Sequence, residues 1–335
     1  MYNHRTLIRL IYVSSLVVVI ASTAAVMLLI KSKIYVYDRP VITVAGNDET
    51  VTPFPVSVNP AAGVILDTGS INVFPSNGLA DNTETRTWWE KIIAVFSEKG
   101  WYQNLASPVS RIVVIWPGER KEEAATHIGN ILGWNLEERT RFIELITEKN
   151  PVLEEGKFYP GQYVTHRDAS PEEMADVILT QFENEILNRY TPDVAAQVPF
   201  EDAMIIASLL EREAGNFENM REVAGVIWNR LFIGMPLQLD ATLQYARANQ
   251  TTAKDWWLAP VPSDKYINSP YNTYSNAGLP PGPIANPSSD AVLAALNPVR
   301  TNCLYYFHSN DGSYYCSETY EEHVAKLKAT FGRGR

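Results

Sequence analysis

The longest unbroken apolar stretch lies near the amino terminus. Residues 10–30 carry no charge and are nearly all apolar or small, and Arg9 and Lys31 flank them. About 20 apolar residues in a helix span the hydrocarbon core of a bilayer. The pattern therefore predicts a transmembrane helix at 10–30 after a short tail at 1–9. A cleaved signal peptide is the alternative, but the apolar run continues past the small residues at 21–25, which favours a retained anchor.

The next segment, residues 31–108, is weakly patterned. Positions 34–85 are rich in Pro, Gly, Asn, Thr and Val and contain almost no lysine or arginine. Short apolar runs such as GVILD at 63–67 are candidate strands, and the amphipathic run at 87–100 predicts a short helix closed by glycine. We interpret 31–108 as a loosely structured stalk or linker that holds at most a small β element.

Residues 109–165 alternate between strand and helix periodicity. RIVVIW at 111–116 predicts a strand, the segments 121–132 and 136–148 carry helical periodicity, and 157–165 predict a second strand interrupted by a Pro-Gly turn. This βααβ order, with its YPGQ ending, resembles a LysM carbohydrate-binding module. A scaffold that binds nothing is the alternative.

The remaining chain, residues 166–335, predicts a mixed α/β domain, so the fold class as a whole is α+β. Its capping, periodicity and turn signals predict five helices and a hairpin. The hairpin turns at Asn310–Gly312. The helices run from Ser170 toward Tyr190, over 199–215, over 221–231, over 288–298, and onward from Glu321.

The helix at 199–215 places a carboxylate on its apolar stripe. At about 100° per residue, Glu213 falls in the middle of a stripe formed by Ile205, Ile206, Leu209 and Leu210. Burial raises the pKa of a carboxyl group, which suits a general acid at neutral pH. Glu211 falls about 160° away and is predicted to be a solvated surface residue. A structural role for Glu213, paired with Arg212 or Arg230 or hydrated at a frayed helix end, is the alternative.

The segment at 268–287 is an unusual loop, which we call the proline-rich loop. Tyr271, Asn272 and Tyr274 precede a dense run of prolines and glycines at 278–283. Aromatic rings with hydroxyl groups, together with amides, suit the faces and edges of sugars. The alternative is a structural lid with buried tyrosines.

The two cysteines flank the predicted hairpin. If Phe307 opposes Gly312 across a four-residue loop, Cys303 faces Cys316. A disulfide is then geometrically reasonable in an oxidising compartment. Two free buried thiols are the alternative.

Composition excludes several functional classes. A net charge of −10 with no basic stripe argues against nucleic acid as a partner. The five histidines and two cysteines form no cluster with metal-ligand spacing, so no metal site is expected. No phosphate-binding glycine motif occurs, and we expect no cofactor.

Several sequence strings in the last two thirds of the chain together form a distinctive pattern. ASLLEREAG, VAGVIWNRLFIGMPLQLDATLQY, SPYNTYSNAGLPPGPIANP, AALNP, LYYF and EEH follow one another in that order. From about Arg111 to the carboxyl terminus the chain resembles the YceG-like, MltG-type family of endolytic murein transglycosylases. In that family the second glutamate of the Glu-[Lys/Arg]-Glu motif is catalytic. Here that residue is Glu213, which the helical-face argument selects independently.

The resemblance implies a single-pass protein of the inner cell membrane whose catalytic domain, 166–335, lies outside the cytoplasm, with the tail at 1–9 inside. It implies cleavage between N-acetylmuramic acid (MurNAc) and N-acetylglucosamine (GlcNAc) in nascent peptidoglycan strands, which leaves 1,6-anhydro-MurNAc ends. Peptidoglycan synthases are the implied protein partners. As candidates for substrate positioning we name Gln238, Asp240, Tyr271, Asn272 and Tyr274.

Two other functions remain open. A lysozyme-like hydrolase would cut the same bond with water, and a non-enzymatic protein would only hold peptidoglycan near the synthesis machinery. The chain also departs from the family pattern. Leu239-Asp240-Ala241 stands for Thr-Asp-Pro, Tyr314 lies where a histidine is common, and Val324 ends the EHN motif. These departures put substrate preference in question, but leave the implied reaction type unchanged.

Overall fold

The structure, a computed structural model, describes residues 52–66, 110–148, 153–250 and 255–332. The predicted transmembrane helix at 10–30 and the predicted helix at 87–100 lie outside these ranges. Among the helices of the described ranges, none combines the length and the apolar character needed to cross a membrane.

The described part of the predicted stalk is packed. Strand β1 (Val58–Asn59) pairs antiparallel with β2 (Val64–Ile65), and Phe54 and Val58 are buried in the main core. The backbone N–H of Phe54 donates to the carbonyl oxygen of Arg189 at 3.0 Å. The small β element that the sequence allowed for is present, with one strand inside the GVILD run. The segment is packed and not loose, because its few apolar side chains reach a core surface built by residues far along the chain.

A strand–helix–helix–strand unit follows, and we call it the βααβ unit. Strand β3 (Ser110–Ile115) pairs antiparallel with β4 (Gly161–His166), from Ser110 opposite His166 to Ile115 opposite Gly161. Helices α1 (Lys121–Leu132) and α2 (Leu136–Glu148) have the predicted bounds. Gly133 ends α1 with φ of 76°, a left-handed conformation that glycine adopts without strain. The second strand is shorter than predicted, because Phe158 and the residues up to Pro160 leave the strand to enter the core.

The predicted domain boundary at 165/166 does not separate two cores. Helix α3 (Pro171–Glu185) begins with the expected capping box at Ser170. Met174 and Ile178 on α3 pack in the core of the βααβ unit, whereas Phe182 packs in the main core. One helix therefore belongs to both hydrophobic cores.

A buried asparagine adds a polar connection between the same two parts. The backbone N–H and the side-chain amide of Asn286 both donate to the carbonyl oxygen of Glu119 at 2.8 Å. Its side-chain oxygen accepts from Phe158 N–H at 3.0 Å, and its carbonyl oxygen accepts from Gly118 N–H at 2.9 Å. Asn286 is fully buried, so these four hydrogen bonds form away from water.

The rest of the main core is helical. After a 3₁₀ turn at Leu187–Arg189, the helices run in the order α4 (Pro192–Gln197), α5 (Phe200–Glu213), α6 (Phe217–Phe232), α7 (Asp240–Gln250), a 3₁₀ turn at Pro262–Tyr266, and α8 (Ser289–Leu296). The sequence predicted α5, α6 and α8 but neither the short α4 nor α7, in which apolar positions lie next to many polar ones.

Helices α5, α6 and α8 form the centre of this core. Trp228 on α6 donates its indole N–H to the carbonyl oxygen of Ala295 on α8 at 2.8 Å. Ser208 on α5 accepts a hydrogen bond from Ile284 N–H at 3.0 Å, which fixes the end of the proline-rich loop against α5. The loop and the end of α5 are thereby held together.

The chain ends in a hairpin and a helix. Strand β5 (Tyr305–His308) pairs with β6 (Tyr314–Ser317), and α9 (Tyr320–Phe331) follows. Cys303 and Cys316 form a disulfide with a Cα–Cα distance of 5.7 Å. The predicted register is wrong, because Phe307 opposes Tyr315 and not Gly312. The bridge still forms because Cys303 lies in the segment before β5, beyond the strand pairing.

Replacing both cysteines should destabilise the hairpin region. The bridge joins residues separated by 13 positions, and removing a cross-link of this size costs about 2–4 kcal/mol, chiefly by freeing the unfolded chain. We expect the free energy of unfolding of the Cys303→Ser/Cys316→Ser chain to fall by about that amount in urea titrations. The reduced parent should match the variant, and equal unfolding midpoints for the oxidised parent and the variant would contradict the prediction.

Candidate active site

Three consecutive residues end helix α5 and contact three different parts of the fold. We call Glu211, Arg212 and Glu213 the Glu–Arg–Glu turn. Glu211 contacts the start of α8, Arg212 contacts the βααβ unit, and Glu213 contacts the β5–β6 hairpin. Successive helical residues differ by about 100° in direction, so one turn of helix can reach all three neighbours.

Glu213 is the last residue of α5 and is partly accessible. Its Oε2 accepts a hydrogen bond from the hydroxyl group of Tyr306 at 2.8 Å. The backbone N–H of Ala241, in the first turn of α7, also donates to its carboxylate. Two uncharged donors therefore hold the carboxyl group from two later segments of the chain.

The surroundings of Glu213 favour its protonated form. Burial raises the pKa of its carboxyl group above the usual value, and the charge of Asp240 raises it further. The hydrogen bonds from Tyr306 and Ala241 and the charge of Arg212 oppose this shift. Because desolvation is the largest effect, Glu213 can retain a proton at a higher pH than a solvated glutamate.

The two arginines that could neutralise Glu213 are engaged elsewhere. Arg212 lies over the ring of Trp257 at 3.8 Å and donates to the carbonyl oxygen of Gly118 at 3.3 Å. Arg230 is buried and donates to the carbonyl oxygens of Leu304 and Leu237. By donating to these backbone oxygens, the two arginines fix the chain segments that surround Glu213.

Glu211 has a structural contact that the sequence did not predict. Its Oε1 accepts the backbone N–H of Ser288 at 2.8 Å and also the hydroxyl group of Ser288, which is the N-cap of α8. Burial raises its pKa. The expectation of a solvated residue is wrong, because this face of α5 is also covered: Met204, Ala207 and Ser208 are all fully buried.

Two of the candidate positioning residues lie on the segment that enters α7. Gln238 and Asp240 are exposed. Gln238 adopts a φ of 52°, and its N–H donates to the carbonyl oxygen of Thr273 at 3.1 Å. A non-glycine residue rarely adopts this left-handed conformation, and residues that do often lie in functional segments.

Tyr274 and Asn272 of the proline-rich loop have different environments. Tyr274 is partly exposed, and its hydroxyl group donates to Asp240 at 2.7 Å. Asn272 is fully buried, and its amide donates to the carbonyl oxygens of Lys265 and Ile267. Tyr274 therefore belongs to the surface beside Glu213, whereas Asn272 holds the loop from inside and does not face a substrate.

Tyr271 belongs to a second polar cluster. Its ring packs against Tyr245 with centroids 4.7 Å apart. The guanidinium group of Arg120 lies over Tyr245 at 4.2 Å and over Trp256 at 4.6 Å. Tyr271 thus contacts the junction between the βααβ unit and the main core.

Glu155 is the acidic member of this second cluster. Its Oε1 accepts the backbone N–H of Lys121 at 2.7 Å. Burial, with a smaller contribution from the charge of Glu122, raises the pKa of Glu155 to about 8. At neutral pH this buried carboxyl group is therefore mostly protonated.

The sequence named Glu213, Asp240 and Tyr274, which the structure brings together, but it did not place Tyr306 or the backbone of Ala241 beside them. Period-two alternation in β5 places Tyr306 and His308 on one face of the hairpin, but that pattern contains no signal for the helix that this face meets. Ala241 contributes a backbone N–H, which no side-chain motif can indicate.

Glu213 is a partly accessible residue whose carboxyl pKa is raised by burial, and neither nearby arginine forms an ion pair with it, so it is suited to general acid–base chemistry. The chain matches the model of the YceG-like family over residues 87–329. It therefore belongs to the YceG-like family.

Three relatives illustrate the similarity. A Streptococcus pneumoniae protein named endolytic murein transglycosylase is 32% identical over 174 residues, which cover 50% of this chain and 31% of that protein. A Bacillus subtilis protein of the same name is 36% identical over 177 residues, 52% of this chain and 47% of that protein. The crystal structure of a YceG-like protein from Listeria monocytogenes is 27% identical with a TM-score of 0.55, and the match covers 65% of this chain and 76% of that one. The matched part of the chain spans less than half the length of the two named enzymes.

The buried Glu155 should make stability depend on pH. Its pKa is about 8 in the folded chain and near the ordinary 4.5 when unfolded, so between these values only the unfolded state loses the proton. Its contribution to the free energy of unfolding is complete below about pH 4.5 and declines toward pH 8, by at most about 1.4 kcal/mol per pH unit.

Glu155→Gln should remove this dependence, because glutamine stays neutral and can still accept from Lys121. We expect urea titrations at several pH values to show that the variant loses less stability than the parent between pH 5 and pH 8. Glu154→Gln, at an exposed neighbouring position, is the matched control. Parallel losses in the parent and Glu155→Gln would refute the assignment.

Proposed function

We propose that this chain is an endolytic peptidoglycan lytic transglycosylase in which Glu213 acts first as acid and then as base. The observation that carries the proposal is the partly accessible, desolvated carboxyl group of Glu213, held by neutral donors. The names of the pneumococcal and Bacillus relatives support it. Its substrate is the glycosidic bond between MurNAc and GlcNAc.

One carboxyl group suffices for this reaction because the sugar supplies its own nucleophile. Protonated Glu213 gives its proton to the glycosidic oxygen, and the bond from MurNAc C1 to that oxygen breaks. The resulting carboxylate takes the proton of the MurNAc C6 hydroxyl group while O6 bonds to C1. Glu213 is thereby reprotonated, no water is consumed, and the products are a GlcNAc 4-hydroxyl group and a 1,6-anhydro-MurNAc end.

The exposed residues beside Glu213 are suited to orient the sugars. Asp240 and Gln238 offer side-chain acceptors at the surface, and the ring of Tyr274 with the nearby Lys265 ammonium group offers a polar aromatic face. We assign substrate positioning to Gln238, Asp240 and Tyr274, and a lesser share to Tyr271.

The location follows from the same proposal. Residues 10–30 would anchor the chain in the cell membrane with residues 31–335 outside the cytoplasm, where new glycan strands and their synthases are found. The βααβ unit, in which β3 and β4 pair antiparallel, would act as the LysM-like module and hold a glycan strand near Glu213. Co-sedimentation of the Glu213→Gln chain with insoluble peptidoglycan tests binding separately from cleavage.

Asp240 makes a hydrolase the second candidate. Its charge acts on Glu213, and glycoside hydrolases use a second carboxylate to activate water or to act as nucleophile. Product mass separates the two reactions, because a hydrolytic MurNAc end is heavier than an anhydro end by one water. We expect digestion of uncrosslinked strands to give anhydro ends, and reducing ends would favour the hydrolase.

Glu213→Gln should slow cleavage strongly while preserving the fold. General acid–base catalysis contributes about 10²–10⁴-fold to rates, and we expect a loss of that size, measured as anhydro products released from uncrosslinked strands. Glu211→Gln is the matched control two residues away, because glutamine can still accept from Ser288. Comparable activity in Glu213→Gln and the parent would reject the catalytic role.

A further inference from the structure

Tyr306 is the side chain that brings the β5–β6 hairpin to the candidate acid. It lies within β5, directly opposite the bridged Cys316 on β6. Its ring stacks on Tyr314 with an interplanar angle of 25°. Its hydroxyl group, which donates to Glu213 at 2.8 Å, is therefore held by the strand pairing, the disulfide and an aromatic neighbour.

The hydroxyl group of Tyr306 keeps its proton here and so remains available as a donor. Burial raises the pKa of Tyr306 well above its usual value, and the adjacent charge of Glu213 raises it further. A hydrogen bond to an ionised carboxylate is roughly twice as strong as one between neutral groups. The contact between Tyr306 and Glu213 therefore strengthens when Glu213 loses its proton.

We propose that Tyr306 is a positioning residue that fixes Oε2 of Glu213 and stabilises the carboxylate formed after proton donation. This inference rests on the proposed function, in which the same carboxyl group alternates between acid and base. Tyr306 counteracts the burial of Glu213, so that the group can release its proton to the glycosidic oxygen. The charged intermediate state of the enzyme then persists until the C6 hydroxyl group returns a proton.

Other polar groups also face the pair formed by Tyr306 and Glu213. They come from α5, α6, the start of α7, the proline-rich loop and the hairpin, and they are Arg212, Arg230, Asp240, Tyr274, Tyr314 and His308. Burial lowers the pKa of His308 and raises the pKa values of Tyr274 and Tyr314. A change in activity above neutral pH therefore does not arise from the titration of His308.

Tyr306→Phe tests the inference because it removes one oxygen and keeps the ring. Loss of the donor should raise the pKa of Glu213 by about one unit. Since the free enzyme must be protonated at Glu213, the alkaline limb of kcat/KM should move up by the same shift. We expect kcat on uncrosslinked strands to fall about tenfold, because the carboxylate is less stabilised.

A measurement without substrate makes the test independent of activity. Carbon-13 resonances of glutamate carboxyl groups report the titration of Glu213, whose signal is assigned by its loss in Glu213→Gln. Tyr314→Phe is the matched control, because Tyr314 stacks on the same ring but directs its hydroxyl group to the carbonyl oxygen of Glu222 at 3.4 Å. Neither the Glu213 titration nor the alkaline limb should move in that variant.

The outcomes separate this inference from the proposed function. An unchanged Glu213 titration in Tyr306→Phe overturns the inference, whether or not the parent cleaves glycan. Equal activity losses in Tyr306→Phe and Tyr314→Phe without a shift in either pH profile would mean a structural role only and would also overturn it. A shifted titration in a chain that releases no cleavage product supports the Tyr306 contact and refutes the proposed reaction.

Discussion

The structure around the candidate acid depends on how the last turn of α5 is held. Glu211 accepts from the N-cap of α8, Arg212 donates to the βααβ unit, and Glu213 accepts from the hairpin. Each contact orients the side chain that makes it. Each contact also fixes the end of α5, which carries the other two side chains. The direction of the Glu213 carboxyl group is therefore set by three parts of the chain that are each far from the Glu–Arg–Glu turn in sequence.

The sequence predicted the elements that local signals define. Helices α1 and α2 have the predicted bounds, the capping box at Ser170 starts α3, and the apolar stripe of α5 selected Glu213. These features depend on residues within a few positions of one another. The same periodicity could not show that α5 is covered on its other face as well, which is why Glu211 was assigned to solvent.

What remained unpredictable depends on contacts between distant segments. The hydrogen bond from Tyr306 to Glu213 joins residues 93 positions apart. The strand register that places Tyr306 opposite Cys316 also differs from the one that the turn residues predicted. Within the proline-rich loop, sequence alone could not distinguish Tyr274, which meets Asp240, from Tyr271, which meets Tyr245. Composition indicated the loop's chemistry, whereas its fold determined which side chains face outward.

The four hydrogen bonds of Asn286 have a consequence for modular exchange. Domains that are joined by a flexible linker can be swapped between proteins, because few contacts cross the boundary. Here removal of the βααβ unit would leave the buried amide of Asn286 without partners, and α3 would lose most of its buried apolar contacts. A chimera that borrowed this unit would therefore have to carry α3 and the Asn286 segment with it, so recombination should transfer the two parts together.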